Sequence, residues 1–148
     1  MVCRMTGILV LWVLISGCSG EPSRYLGAPG GRLHPCPGKP NCVSTQDPDA
    51  KHAMAPLSFA GTKQETRDRI LGIVRGMKRS DIVEASEDYI HACFRSRIFG
   101  FVDDVEFLLD EDARLVHFRS ASRVGTYDFG VNRRRMQGIS ERYNEVAQ

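Results

Sequence analysis

The stretch that decides the fold is Tyr89-Ile90-His91-Ala92-Cys93-Phe94-Arg95-Ser96-Arg97-Ile98. Its side chains alternate: Ile90, Ala92, Phe94, Ser96 and Ile98 share one face, and Tyr89, His91, Cys93, Arg95 and Arg97 the other. A period of two is the signature of a strand. The same period returns in Asp104–Leu109, where Val105, Phe107 and Leu109 stand together, and in Leu115–Ser122, where Val116 and Phe118 do. A shorter run, Ile82–Ala85, precedes them. Glu87-Asp88, Phe99-Gly100 and Asp110-Glu111-Asp112-Ala113 read as turns. Connections this short predict a four-stranded antiparallel meander. Register follows from matching apolar faces, because a slip of one residue turns a whole face outward. The match sets Phe94 opposite Phe107 and Phe107 opposite Phe118. Arg97 then faces Asp104, Arg95 faces Glu106, and Glu106 also faces Arg119, although none of these ion pairs enters the choice of register.

Two amphipathic helices flank the strands. Thr62-Lys63-Gln64-Glu65 is a capping box, in which the Thr hydroxyl accepts from an early backbone N–H while the Glu reaches back. Thr66, Ile70, Ile73, Val74 and Met77 follow at helical spacing, and the helix should end near Lys78-Arg79. A last helix is predicted over Val131–Val146, with Met136, Ile139, Tyr143 and Val146 on one side. The expected fold is therefore α+β, in the order α-β-β-β-β-α, with both helices covering the apolar face of the meander. Phe94, Phe99, Phe101, Phe107, Phe118 and Phe129 crowd into the C-terminal half, which suggests that this half carries the core.

The N-terminus speaks to location. Arg4 precedes the apolar run Ile8-Leu9-Val10-Leu11-Trp12-Val13-Leu14-Ile15, which ends in Ser16-Gly17-Cys18. The run is short for a bilayer span and suits a signal peptide. Residues 1–17 read as a lipoprotein signal peptide and Cys18 as the acylated (palmitate-bearing) residue. Ser19 rather than Asp after that cysteine favours the outer membrane, facing the periplasm. Residues 18–33, rich in Gly and Pro, read as a flexible tether, and residues 34–148 as one globular domain whose opening part, 34–61, is irregular. In an oxidising compartment Cys36 and Cys42, on either side of a tight Pro/Gly turn, are natural disulfide partners, leaving Cys93 as the odd thiol.

The chain has 20 Lys+Arg against 18 Asp+Glu. That near-balance gives no global attraction to nucleic acid. The sequence has no phosphate-cradling Gly loop, no dinucleotide fingerprint and no G-x-S-x-G elbow.

Cys36-Pro37, Pro40-Asn41-Cys42-Val43-Ser44, Tyr89-Ile90-His91-Ala92, Phe94-Arg95-Ser96-Arg97, the run from Phe99 to Phe107, the run from Arg119 to Gly125, Asp128, and Gly130-Val131-Asn132-Arg133-Arg134-Arg135 occur in this order. Together they resemble the bacterial family called the domain of unknown function numbered 1499, over roughly residues 34–146. The resemblance implies a protein that is exported or membrane-attached, and no particular activity. In the family pattern the place of Cys93 is commonly acidic, so a site built on that thiol would be peculiar to this chain.

Arg95, Arg97, Glu106 and Arg119 form the densest polar feature. They read either as a solvated sheet face held by cross-strand pairs or as a pocket for an anion, which the planar guanidinium fork suits. Ser120, Ser122, Arg123, Asp128, Asn132 and Arg133 lie where the last strand enters the last helix, a place for anion capture or simply for a helix cap. His91, Cys93 and His117 would share a face, as a metal site or thiol–imidazole pair without a carboxylate to orient it. His34, Cys36, Cys42 and His52 fit no standard zinc spacing. The expectation is a non-enzymatic envelope lipoprotein with no cofactor, no metal and no catalytic residue, an interaction module held to the membrane by its lipid. Its partner would be another envelope protein. The alternative is a binder of a small anionic ligand or lipid head group on the arginine-rich face, through Arg95, Arg97, Glu106, Arg119, Arg123, Asn132 and Arg133. An enzyme using Cys93, His91 and His117 comes last.

Overall fold

A computed structural model describes residue 23 and residues 25–146. The signal peptide expected over residues 1–17 and the acylated Cys18 lie outside the described residues. No helix among the described residues is long and apolar enough to cross a membrane.

Two helices pack on an antiparallel sheet. The strands are β1 (Cys42–Ser44), β2 (Leu57–Ser58), β3 (Ser80–Ala85), β4 (Tyr89–Arg95), β5 (Val102–Asp110) and β6 (Leu115–Ser122); the helices are α1 (Lys63–Arg75) and α2 (Val131–Val146). The sheet is six-stranded, in the order β1-β6-β5-β4-β3 with β2 also on β6. The class is the α+β expected, but β1 and β2 come before the first helix, in a segment expected to be irregular. Each is too short to show a period. They are strands because β6 needs partners on its outer edge: β1 pairs with one half of it, Val43 opposite Ser120, and β2 with the other, Leu57 opposite Val116.

Between β5 and β6 the register is the one expected, with Phe107 opposite Phe118 and Glu106 opposite Arg119. Between β4 and β5 it differs by four residues. Ile90, not Phe94, lies opposite Phe107, and His91 faces Glu106 while Cys93 faces Asp104. A slip of four keeps every side chain on its own face, so alternation cannot exclude it. The turn decides: Ser96 N–H donates to the Phe101 carbonyl at 2.8 Å and Phe101 N–H to Ser96 Oγ at 2.9 Å. These bonds close the hairpin with the expected Phe99-Gly100 inside its turn, and they set the strands four residues from the expected register. The pairs Arg95–Glu106 and Arg97–Asp104 therefore do not form. Arg95 instead lies 3.9 Å from Asp81, and Arg97 is exposed in the turn.

The core lies on the predicted apolar face. Ile90, Phe94, Val105, Phe107, Val116 and Phe118 meet Ile70, Leu71 and Val74 of α1 and Met136, Ile139 and Tyr143 of α2. Each such side chain contributes about 1.5–3 kcal/mol through burial. The Thr62 capping box forms with both bonds. Asp128 accepts from Gly130 N–H and Asn132 N–H at the start of α2. Phe99, Phe101 and Phe129 are exposed, so only part of the phenylalanine cluster is core.

Asn132 ties α2 to the sheet. Buried, it donates from Nδ2 to the Asn41 carbonyl and to Ser122 Oγ, both at 3.0 Å, and its Oδ1 accepts from Ser120 Oγ. Asn132→Ala strands those groups without partners, so it is expected to lower unfolding stability by about 2 kcal/mol, read as a drop in the urea midpoint with unchanged slope.

Candidate functional site

The second face of the sheet carries charge and is closed to solvent. Alternation places Tyr89, His91 and Cys93 of β4, Asp104 and Glu106 of β5, and Arg119 of β6 here, and all six are buried. Buried charges must be paired to be tolerated, and each carboxylate here has its cation. Glu106 takes Arg119 Nη1 at 2.9 Å on one oxygen. On the other it takes Tyr89 Oη and the Gly27 backbone N–H, each at 2.8 Å. The Tyr89 pKa is raised, by burial first and then by the Glu106 carboxylate.

The second cluster centres on Asp104. Arg123 grips both its oxygens, Nε at 2.9 Å and Nη2 at 2.8 Å, while His91 Nε2 lies 2.8 Å from Oδ1. Arg123 Nη2 also reaches Cys93 Sγ at 3.1 Å, and that thiol lies 3.5 Å from Asp104. Burial pushes the Asp104 pKa up, but the bonds from His91 and Arg123 outweigh it and bring it down to about 2. The ligating atoms of His91, Cys93 and Asp104 all lie within 4.8 Å of one another, the spacing of a metal site. A guanidinium already supplies the positive charge there.

What closes this face is the start of the described chain. The Gly/Pro-rich stretch expected as tether is, from Gly27 onward, laid across the sheet. Gly27 bonds Glu106, Leu33 is buried against Tyr89 and Leu108 with Ala28 beside them, and Leu33 N–H donates to Gln46 Oε1 at 2.9 Å. The correction has a physical cause. Glu106 needs a further donor once out of water, and a side chain-free Gly27 brings a backbone amide close. The expectation of a solvated ladder on this face fails for the same reason.

A cleft of about 310 Å3 opens beside the two clusters, lined among others by Tyr25, Lys39, Asn41, Asp104, Arg119 and Arg123. Two of the residues that line it, Arg119 and Asn41, each hold a buried side-chain atom, Nε and Oδ1, with no hydrogen-bond partner among the described residues. The Asn41 amide is oriented by its Nδ2 donating to the Gly125 carbonyl at 3.0 Å, which fixes Oδ1 as the open acceptor. Such atoms are uncommon in folded proteins. Here one is a donor and one an acceptor, in a cleft with three cations against one carboxylate.

Of the residues expected to bind a ligand, Arg119 and Arg123 line this cleft and Glu106 lies behind it; Arg95 and Arg97 do not reach it. Asn132 is buried on the helix side. Arg133 is spent on the Lys51 and Ala53 carbonyls, at 2.7 and 3.2 Å. The His91–Cys93–His117 trio is not assembled. His117 lies opposite Leu108, with Thr45 Oγ1 at 3.3 Å, and burial lowers its pKa. Nor do His34, Cys36, Cys42 and His52 form a site, since Cys36 and Cys42 are disulfide-bonded and His52 Nδ1 is turned to the Cys42 carbonyl at 2.8 Å. Sequence reasoning missed Lys39 and Asn41 as site residues, although both lie in the turn that the disulfide closes.

Residues 32–142 match the family model described as a protein of unknown function, DUF1499. No curated protein and no solved structure matches the chain.

Two outcomes are expected. Glu106→Gln leaves Arg119 as an uncompensated buried charge and should cost about 3 kcal/mol of stability, measured by urea denaturation. Asp104 is an acid whose folded pKa is depressed. Its contribution is present above the ordinary carboxylate pKa and is lost as pH falls from about 4 toward 2. Asp104→Asn should therefore flatten the stability profile across that window while lowering stability at neutral pH.

Proposed function

Because the chain belongs to the DUF1499 family of proteins of unknown function, its role has to be argued from its own site, and we propose that it is a lipid-anchored envelope protein that binds rather than transforms a small anion. The cleft between Lys39, Arg119 and Arg123 is the binding site. The observation that carries this is that two residues lining it, Arg119 and Asn41, each keep a buried side-chain atom, Nε and Oδ1, with no hydrogen-bond partner among the described residues. A ligand that completes both carries an anionic oxygen and its own hydrogen-bond donor, as a hydroxy- or amino-carboxylate or a phosphate monoester does. The guanidinium groups suit such oxyanions because their N–H donors are planar and fixed. Binding fits better than catalysis, because Cys93 is enclosed by Arg123, Asp104 and His91 and presents no surface to a substrate.

The anchoring half of the proposal rests on Cys18 and the run that precedes it. A protein acylated there stays at a membrane surface of the envelope, in the periplasm by preference. An intact mass of protein extracted from its own membranes tests this: acyl chains on a chain beginning at Cys18 are expected, and an unmodified Cys18 overturns it.

The cleft is tested by thermal unfolding with phosphate, citrate, glutamate and phosphoserine against chloride at matched ionic strength. Saturation a hundredfold above Kd stabilises by about 2.7 kcal/mol, a rise of several degrees. At least one of these anions should produce it, and Lys39→Glu, a charge reversal at an exposed position, should abolish it. A flat response to all four contradicts the proposal.

A further inference from the structure

Among the described residues, most of the exposed large apolar side chains stand in two neighbouring loops. The β4–β5 turn presents Ile98, Phe99 and Phe101, and the β6–α2 loop presents Val124, Tyr127 and Phe129; Ile98, Phe99 and Phe129 are 81, 74 and 77 % exposed. The loops leave the same end of the sheet, where Arg123 N–H donates to the Val102 carbonyl at 3.0 Å. Within each, aromatic rings pair: Phe99 with Phe101 at 5.5 Å between centroids, and Tyr127 with Phe129 at 5.0 Å. A soluble domain rarely leaves such clusters in water unless they meet a partner or a membrane.

We propose that these two tips insert into the surface of the bilayer that holds the lipid anchor, so that the domain docks on the membrane in a fixed orientation. The proposal rests on the reading of Cys18 as acylated. Two observations select the bilayer. First, Ser23 lines the cleft together with Ser122 and Gly125, so the chain enters the domain at the end that bears the tips. Four residues lie between Cys18 and Ser23, five steps of chain with a reach of at most about 18 Å. The anchor therefore holds this end of the domain close to the lipid. Second, exposed Arg97 lies in one tip and exposed Arg134 beside the other, with Arg134 Nη1 donating to the Phe129 carbonyl at 2.8 Å. Apolar and aromatic tips with adjacent cations match the interface of an anionic bilayer, where the rings enter the acyl boundary and the guanidinium groups meet phosphates.

The one tryptophan of the sequence, Trp12, precedes Cys18 and is absent from a chain that begins there, so reporters can be placed singly. Phe99→Trp, Phe129→Trp and, as a control at the outer edge of the sheet, Val83→Trp are all at exposed positions and should fold. Each lipidated protein, beginning at Cys18, is reconstituted in vesicles of phosphatidylethanolamine and phosphatidylglycerol. Emission at positions 99 and 129 should shift to the blue and be quenched several-fold more by shallow nitroxide-labelled lipid than at position 83. Protein that floats with the vesicles but shows equal quenching at all three positions overturns docking and leaves anchoring intact. A blue shift that grows with protein density and ignores the nitroxide assigns the tips to a second copy and overturns it too. A chain with no acyl mass that does not float removes the anchor, and the docking proposal falls with it.

Discussion

The ion pair between Glu106 and Arg119 sets the terms for this structure. Both residues are central in the sheet and have essentially no exposed surface. A buried pair repays its desolvation only if its remaining hydrogen-bonding groups are also satisfied. Tyr89 supplies one donor from the neighbouring strand. Gly27 supplies another from a segment far away in sequence, and that bond fastens the entering chain across the face. This ion pair, with the packing of Leu33 on Tyr89 and Leu108, explains why a sheet with helices on one side has a covered second side, and why its cover is an irregular segment rather than a third helix.

The same logic runs through Asp104. The acid is held ionised by Arg123 and His91, and Arg123 in turn extends over Cys93. Both clusters are largely closed systems, with donors meeting acceptors inside the fold. The residues lining the cleft are less complete: among the described residues, Arg119 Nε and Asn41 Oδ1 find no partner. That contrast locates the binding proposal more sharply than the count of arginines does. Arg95, Arg97 and Arg133 are as cationic as Arg119 and Arg123, yet they face turns, an edge and carbonyls.

Much of the fold was legible because its signals are periodic and local. The Thr62 capping box, the period of two in β4, β5 and β6, and the helical spacing of Met136, Ile139 and Tyr143 each report on neighbours within a few residues. The β5–β6 register was legible for the same reason, across a short turn. The β4–β5 register was not, since a slip of four residues preserves both faces and the choice lay in the bonds of Ser96 with Phe101. Strands β1 and β2 were invisible because strands this short have no period, and exist only against β6. The site was half legible. Arg119 and Glu106 followed from register, but Gly27, Lys39 and Asn41 are brought to that face by long-range contacts that no local pattern encodes.

The central claim is that the segment beginning at Gly27 is part of the folded domain because Glu106 requires it. Hydrogen exchange at the Gly27 amide, followed by NMR in the full chain, tests that most directly. Protection of this amide comparable to that of the strand amides of β5 is the expected result, with loss of that protection in Glu106→Ala under conditions where the β5 amides remain slow. Exchange of Gly27 at the rate of an unstructured chain in the unsubstituted protein would contradict the account.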